Sequence, residues 1–153
     1  MTSVKDILVN RPLFALDKDA TVQTGAEYMA KNNIGAIPVV DGTRLIGIFS
    51  ERDVINRVIA KSLSPSATRL ADVMTTNLVV ASSNETHEDC LKKMKQASCR
   101  HLPIVEGETL IGIISVRDLL DVEINEKEDK IQFLHDYMFH MPAGVEKKYA
   151  GKS

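Results

Sequence analysis

The stretch PVVDGTRLIGIFSERD, from Pro38 to Asp53, occurs a second time as PIVEGETLIGIISVRD, from Pro103 to Asp118. The two copies align without a gap at a constant offset of 65 residues (38 + 65 = 103), and ten of the sixteen aligned pairs are identical. A repeat of this quality means that one structural unit occurs twice, and this decides how every local pattern is interpreted. The chain is therefore built from two copies of one unit.

The repeat extends towards the N-terminus of each copy. Thr21 and Thr86 align at the same offset, and after a slip of one residue KDIL aligns with ADVM, so that Asp6 corresponds to Asp72. A unit of roughly 60 residues buries too little surface to be comfortably stable alone, whereas two packed units can share apolar surface. We therefore predict a pseudo-two-fold pair of repeats that share one core.

The helices of each copy are indicated by apolar residues at helical spacing. Thr21 and Thr86 precede these residues and predict helix N-caps. The helices should end near Asn33 and Ser98, where short β-branched runs begin. Each copy thus begins as a strand and a helix followed by further strands.

Two strands and a second helix complete each copy. The turns at Asp41–Gly42 and Glu106–Gly107 predict tight hairpins. The uniformly apolar run Leu45–Phe49 predicts a central strand that is covered on both faces. Helical spacing returns after Ser50 and Ser115. The expected fold class is α/β, of the α+β type, with two βαββα repeats.

The repeat boundaries divide the chain into four expected segments. Residues 4–62 form the first repeat, 63–68 a linker, 69–122 the second repeat, and 123–153 a C-terminal helix and polar tail. The terminal helix is indicated by the helical spacing of Ile131, Leu134 and Met138. The pattern breaks at Pro142 and Gly144, after which the sequence is polar. This helix should pack on its own domain, on a second copy, or on a client protein.

Charge and hydropathy exclude several classes of partner. The 19 basic and 21 acidic residues give a formal charge of −2, so no long-range positive field attracts nucleic acid or an anionic membrane. No apolar run approaches the roughly 18 residues that span a bilayer, and MTSVKDILVN does not have the pattern of a signal peptide. We expect a soluble cytoplasmic protein without nucleic-acid or membrane partners.

The sequence lacks the motifs of common catalytic and metal sites. It contains no GxGxxG, GxxxxGK[ST] or GxSxG. Cys90 and Cys99 are nine residues apart, which is not a zinc-binding spacing, and His135 and His140 lie on different faces of a helix. We therefore expect no catalytic residues, no metal and no required cofactor. A Cys99 nucleophile beside His101 is the weak alternative.

The segments GAIPVVD…LIGIFSERD and RHLPIVE…LIGIISVRD resemble the two motifs of a CBS domain pair, also called a Bateman module, over roughly residues 4 to 120. This resemblance implies a regulatory module that is not an enzyme. It implies that adenosine-type ligands (AMP, ADP, ATP, S-adenosylmethionine or sometimes NADH) bind in two clefts between the repeats. It also implies a homodimer, and occupancy of the clefts would act on a client protein or an attached domain.

The resemblance also assigns residues to two crossed clefts, each combining the Ser-x-x-Asp segment of one repeat with strands of the other. The first cleft would use Ile48, Ser50, Arg52, Asp53, Val79, Val80, Arg100, His101 and Pro103. The second would use Phe14, Ala15, Ile34, Gly35, Ala36, Pro38, Ile113, Ser115, Arg117 and Asp118. For the apolar members of both sets, plain core packing is an equally good interpretation.

The resemblance assigns the ribose to Asp53 and Asp118, and a carboxylate can accept hydrogen bonds from both ribose hydroxyls. Ser-x-x-Asp at a strand-to-helix junction is also a capping motif, and the two roles are compatible. Arg100 and His101 could donate to phosphate oxygens, although Arg100 could equally be a solvated edge residue. Since Gly35 and Ala36 occupy the matching positions of the second cleft, phosphate should prefer the first.

Two other functions remain open. The clefts could be vestigial, so that the chain is a scaffold or protein-interaction module that binds through its terminal helix. A catalytic accessory subunit is a third and weaker possibility, because no residue pattern indicates one.

Overall fold

The computed structural model describes residues 2–139 and confirms the α/β fold class and the two βαββα repeats. A six-stranded mixed sheet runs in the order β1-β2-β3-β6-β5-β4. Its strands are β1 (Leu16–Asp17), β2 (Ala36–Asp41), β3 (Arg44–Ser50), β4 (Ala81–Ser82), β5 (His101–Glu106) and β6 (Thr109–Ser115). The helices are α1 (Val4–Leu8), α2 (Val22–Asn32), α3 (Glu51–Asp53), which continues as a π-helix over Val54–Ile59, α4 (Leu70–Val73), α5 (His87–Ala97) and α6 (Val116–Phe139).

The ends of α2 and α5 match the sequence-based expectation. The Thr21 side chain accepts a hydrogen bond from the Thr24 amide, and Thr86 forms a reciprocal capping box with Asp89. Both helices end in a residue of left-handed conformation, Asn33 in α2 and Ser98 in α5. These caps satisfy amide and carbonyl groups that the helix itself leaves unpaired.

Two hairpins, β2-β3 and β5-β6, form the body of the sheet. Gly42 and Gly107 have φ angles of 67° and 63°, which the tight turns require and which glycine adopts without strain. The hairpins join where Arg44 pairs with Thr109, so β3 and β6 are the central strands. β3 is less covered than expected, because Leu45, Ile46 and Ile48 are each half-buried.

The buried apolar residues form two clusters, and each contains residues from both repeats. The first cluster lies in the first repeat but includes Leu70 and Val73 of α4. The second cluster lies in the second repeat but includes Val4 of α1. Val4 and Leu70 are fully buried. The repeats therefore exchange their leading helices, and this exchange adds to the β3-β6 pairing in holding them together.

The chain divides into two compact units, Met1–Leu119 and Leu120–Ser153, and both cavities described below lie within the first. In the second unit the expected terminal helix is the continuation of α6. Ile131 and Leu134 are exposed on it, whereas the predicted positions Met138, His140, Pro142 and Gly144 have side chains outside the described part of the chain. No helix among residues 2–139 has the length and apolar character needed to cross a membrane.

Candidate functional site

One cavity lies beside the Ser-x-x-Asp segment of the first repeat, and we call it the Asp53 cavity. Its volume is about 690 Å³. Its wall joins the end of β3 and the start of α3 to residues between α5 and β5 of the second repeat. It is lined by Gly35, Ala36, Ile48, Ser50, Glu51, Arg52, Asp53, Ile55, Asn56, Thr75, Ser98, Cys99, Arg100 and His101.

A second cavity lies beside the matching segment of the second repeat, and we call it the Asp118 cavity. Its volume is about 480 Å³. The end of β6 meets the segment that follows α1 and the residues just before β2. It is lined by Leu8, Arg11, Pro12, Phe14, Asn33, Ile34, Gly35, Ala36, His101, Ile111, Gly112, Ile113, Ser115 and Asp118. Each cavity thus draws its lining from both repeats.

The structure brings together most, but not all, of the residues assigned to each cleft. The first set contributes Ile48, Ser50, Arg52, Asp53, Arg100 and His101 to the Asp53 cavity. The second contributes Phe14, Ile34, Gly35, Ala36, Ile113, Ser115 and Asp118 to the Asp118 cavity. Among the described residues, those that do not line the cavity to which they were assigned are Val79, Val80, Pro103, Ala15, Pro38 and Arg117.

Pro38 and Pro103 are absent from the lining described for these cavities because both are buried inside the hairpins. Pro38 pairs with Ile48 across the β2-β3 hairpin, and Pro103 pairs with Ile113 across β5-β6. Arg117 is exposed on α6. Ile48 and Ile113 therefore line the cavities, whereas the prolines with which they pair do not.

Asp53 is nearly buried, with only 7% of its surface exposed, and is held by residues around it. Its Oδ2 accepts hydrogen bonds from the Ser50 amide at 3.0 Å and the Ser50 hydroxyl at 3.2 Å, and Ser50 Oγ accepts in turn from the Asp53 amide. Its Oδ1 accepts from the Thr75 hydroxyl at 3.4 Å and lies 3.4 Å from Arg57 Nε. The capping interpretation of this Ser-x-x-Asp segment is therefore correct.

Asp118 makes the same capping contacts with Ser115 but has a different third partner. Its Oδ2 accepts from the Ser115 amide at 2.8 Å, and Ser115 Oγ accepts from the Asp118 amide at 3.1 Å. Arg11 lies 3.0 Å from Oδ2 and 3.2 Å from Oδ1. Burial raises the pKa of the Asp118 carboxyl, but the hydrogen bonds from Arg11 and Ser115 outweigh burial and lower it below its ordinary value.

The Asp53 cavity carries two arginines that the described contacts leave unpaired. Neither Arg52 nor Arg100 has a side-chain hydrogen bond or ion pair among residues 2–139. The Arg100 carbonyl accepts from the Val116 amide at 2.8 Å, which fixes its backbone while its side chain stays exposed. These guanidinium groups can bind phosphate or carboxylate oxygens from within the cavity or from solvent.

His101 lines both cavities, as do Gly35 and Ala36. Burial lowers the pKa of His101, and this effect outweighs the raising effect of the nearby Asp118 and Glu51 carboxylates. The imidazole is therefore neutral over more of the range near pH 6 than an exposed histidine.

Three side chains that complete the surroundings of the aspartates were not predicted from the sequence: Arg11, Arg57 and Thr75. Arg11 and Thr75 lie next to the point where the repeat alignment slips by one residue, so the repeat offers no matched pair for them. The preference of phosphate for the first cleft stays a prediction, because no ligand contact tests it. The second cavity has an arginine of its own, and His101 borders both cavities.

Known proteins match this chain over both repeats. A family model described as the CBS domain matches residues 4–60 and 70–125. The CBS domain-containing protein YhcV of Bacillus subtilis is 36% identical over 119 residues, which are 78% of this chain and 84% of that protein. The crystal structure of the CBS-domain containing protein ATU1752 from Agrobacterium tumefaciens is 30% identical, with a TM-score of 0.71 and coverage of 80% of this chain and 99% of that chain.

Two further solved structures share the fold and were determined with ligands. Protein PAE2072 from Pyrobaculum aerophilum, complexed with AMP, is 24% identical, with a TM-score of 0.68 and coverage of 76% of this chain and 88% of its own. The CBS domain pair of protein MJ0100, in complex with 5′-methylthioadenosine and S-adenosyl-L-methionine, is 24% identical, with a TM-score of 0.70 and coverage of 79% and 98%. At this identity the likeness shows a common fold.

Proposed function

This chain belongs to the CBS domain family, and from that premise we propose that it is a regulatory module that binds an adenine nucleotide or a related adenosyl ligand. The ligand class is AMP, ADP, ATP or S-adenosylmethionine, and the chain itself catalyses no reaction. The observation that carries this proposal is the composition of the two cavities. Each joins the Ser-x-x-Asp end of one repeat to a wall from the other, so a bound ligand contacts both repeats at once.

The volume and lining of the cavities suit a nucleoside. A cavity of about 480 or 690 Å³ falls in the ordinary range of small-molecule sites. Phe14, Ile34 and Ile113 line the Asp118 cavity, and the Phe14 ring packs edge to face on Tyr28, at 6.0 Å between ring centroids. Such a wall can contact a flat base, while Asp118 can accept from the two ribose hydroxyls. The ligands of PAE2072 and MJ0100, which share the fold, support this class of ligand.

In the Asp53 cavity we assign the ribose to Asp53 and the phosphate to Arg100, with Arg52 and His101 as further donors. The unpaired guanidinium groups of Arg52 and Arg100 favour this assignment, because an anion adds partners without breaking an existing pair. A diol would have to displace Thr75 or Arg57 from Asp53 Oδ1. Among the described contacts Asp118 Oδ1 has Arg11 as its one partner, so Asp53 is the less suited of the two aspartates to a ribose.

The proposal is tested by thermal unfolding of the purified protein with AMP, ADP, ATP, S-adenosylmethionine, NADH and GTP. A ligand at about 100 times its dissociation constant adds about 2.7 kcal/mol. For a chain of this length that raises Tm by several degrees. Asp118→Asn and Arg100→Ala each should reduce the shift by disabling one cavity, whereas Arg44→Gln, a matched control at an exposed hairpin position, should leave it unchanged.

Wild-type protein whose Tm does not respond to any of the adenine ligands would contradict the proposal. A shift that survives both cavity variants in full would also contradict the assigned sites. In the first case the interaction-module alternative, with vestigial cavities, becomes the better account. Loss of a cellular complex on truncation after Leu120 would then support binding through the terminal helix.

We also propose that the chain forms a homodimer, and a repeated apolar pattern supports this. Ile55 and Ile59 are 62% and 59% exposed, and the equivalent positions 65 residues later, Leu120 and Ile124, are 48% and 52% exposed. Exposed apolar residues of this kind mark protein–protein interaction sites, and two-fold homodimers are the commonest soluble oligomers. A second copy of the chain is therefore the partner that fits this pattern best.

The dimer is tested by light scattering coupled to size-exclusion chromatography. Ile59→Lys and Ile124→Lys should each shift the mass towards the monomer, because a buried unpaired lysine opposes association. Val79→Lys, at an exposed valine outside this pattern, serves as the matched control and should leave the mass unchanged. A wild-type protein that is monomeric at micromolar concentration contradicts the dimer and leaves a client protein as the partner of these residues.

A further inference from the structure

Arg11 forms a two-point ion pair with the aspartate that we assign to the ribose. Arg11 Nη1 lies 3.0 Å from Asp118 Oδ2, and Nη2 donates to Oδ1 at 3.2 Å. The guanidinium plane therefore engages both carboxylate oxygens, in the geometry that makes such pairs strong. A ribose diol that binds both oxygens competes with Arg11 for them. A nucleoside that binds Asp118 in this way displaces Arg11.

The backbone of Arg11 is fixed by the packing of the segment before it. The Arg11 amide donates to the Leu8 carbonyl at 3.1 Å, and the intervening Asn10 has a φ of 63°. Leu8 packs so closely over Gly112 that a Cβ at that glycine would lie 2.6 Å from Leu8 Cδ2. Through Leu8 and the fully buried Val4, α1 is anchored in the core of the second repeat.

The side chain of Arg11, in contrast, remains at the border of the cavity and solvent. It is 40% exposed, and the Asp118 side chain is 27% exposed. An arginine side chain with a fixed backbone and an exposed end can exchange one anionic partner for another at small structural cost. Among the described residues that line this cavity, Arg11 is the sole permanent cation.

We propose, building on the proposed function, that Arg11 sets the ligand specificity of the Asp118 cavity by selecting phosphorylated adenosine compounds over uncharged adenosine. Adenosine breaks the Arg11–Asp118 pair and gives the guanidinium no new partner. A nucleotide breaks the same pair but offers its phosphate to the released guanidinium, so one charge-assisted contact replaces another. The cavity therefore discriminates by the charge of the ligand, although its ribose contact is the same for both.

The test compares the dissociation constants of AMP and adenosine by titration calorimetry in the wild type and in Arg11→Gln. The measurements use an Asp53→Asn background, so that the Asp118 cavity dominates the signal. Arg11→Gln should lower the ratio of the adenosine constant to the AMP constant by about tenfold or more. Adenosine should bind at least as tightly as before and AMP more weakly. Arg11→Lys, which keeps the charge and loses the two-point geometry, should lie between.

Arg44→Gln removes the same charge outside the cavity and should leave the ratio unchanged. An unchanged ratio in Arg11→Gln overturns the inference while binding itself persists. Equal weakening of both ligands also overturns it, because a merely structural role of Arg11 would affect them alike. If neither AMP nor adenosine binds, the proposed function fails as well, so the two failures are distinguishable.

Discussion

The two Ser-x-x-Asp segments have the same capping contacts, yet their aspartates occupy different surroundings. Asp53 is nearly buried and is held by Arg57 from the next helical turn and by Thr75. Asp118 is more exposed and is held by Arg11, 107 residues away in sequence. The position equivalent to Arg57 in the second repeat is Val122 (57 + 65 = 122). The motif therefore determines the cap, and unrelated residues outside it determine what the carboxylate can bind.

This difference separates the roles of the two cavities. In the Asp53 cavity the aspartate is held by Ser50 and Thr75, and Arg52 and Arg100 stay unpaired among the described contacts. The Asp118 cavity pairs its one permanent cation with its aspartate. An anionic ligand can thus enter the first cavity without breaking an ion pair, whereas in the second it must exchange partners.

The largest expected effect concerns the exchanged helices that hold both cavities in place. Leu70 of α4 is fully buried in the first cluster and contributes to it from the leading helix of the second repeat. Leu70→Ala should lower the free energy of unfolding by about 2–5 kcal/mol, because it leaves a cavity in packed surroundings. Chemical denaturation measures this value, and Leu63→Ala, at a partly exposed linker position, is the control. A loss below about 1 kcal/mol would show that the exchange is peripheral to stability.

A smaller effect should distinguish the two aspartates in the absence of ligand. Asp53→Asn should lower the free energy of unfolding by about 1–2 kcal/mol, because a nearly buried acceptor of three hydrogen bonds loses its charge beside Arg57. Asp118→Asn should cost less, since solvent screens its pair with Arg11. Equal losses in denaturant titrations of the two variants would contradict the difference in their surroundings.

The smallest effect is a pH dependence at the wall that the cavities share. The pKa of folded His101 is lowered from its ordinary value of 6.5, first by burial. The unfolded chain therefore binds more protons as the pH falls through 6.5, and stability decreases until the pH is below the folded pKa. In His101→Gln the decrease in Tm between about pH 7 and pH 5 should be shallower. The lowered pKa of Asp118 acts below its ordinary value of 3.8, outside this window. Parallel pH profiles of the two proteins would contradict this role of His101.

Much of the fold was predictable because each cap, turn and strand pattern occurs in both repeats. Thr21 and Thr86, Gly42 and Gly107, and the paired strands all occur at matched positions, so each assignment had an independent second instance. The exchange of α1 and α4 was not predictable in this way. Self-comparison identifies equivalent residues but does not say whether Leu70 packs on its own repeat or on the other.

The candidate site was predictable to the same extent, and its prediction was incomplete for the same reason. The motif residues Ser50, Asp53, Ser115 and Asp118 line the cavities together with Arg100. Arg11 could not be inferred, because its contact with Asp118 depends on how α1 packs against Gly112 in three dimensions. Contacts that differ between two repeats of one sequence pattern are set by tertiary packing, which the pattern does not encode.

Ligand binding in the two cavities is best measured by calorimetric titration of AMP into the wild type, Asp53→Asn and Asp118→Asn. We expect saturable binding to the wild type, and a loss of affinity or stoichiometry in Asp118→Asn that exceeds the loss in Asp53→Asn. Asp53 Oδ1 already has two partners, Thr75 and Arg57, whereas Asp118 Oδ1 has Arg11 alone among the described contacts. Binding that is the same in all three proteins, or no binding of AMP, ADP, ATP or S-adenosylmethionine to the wild type, would contradict this expectation.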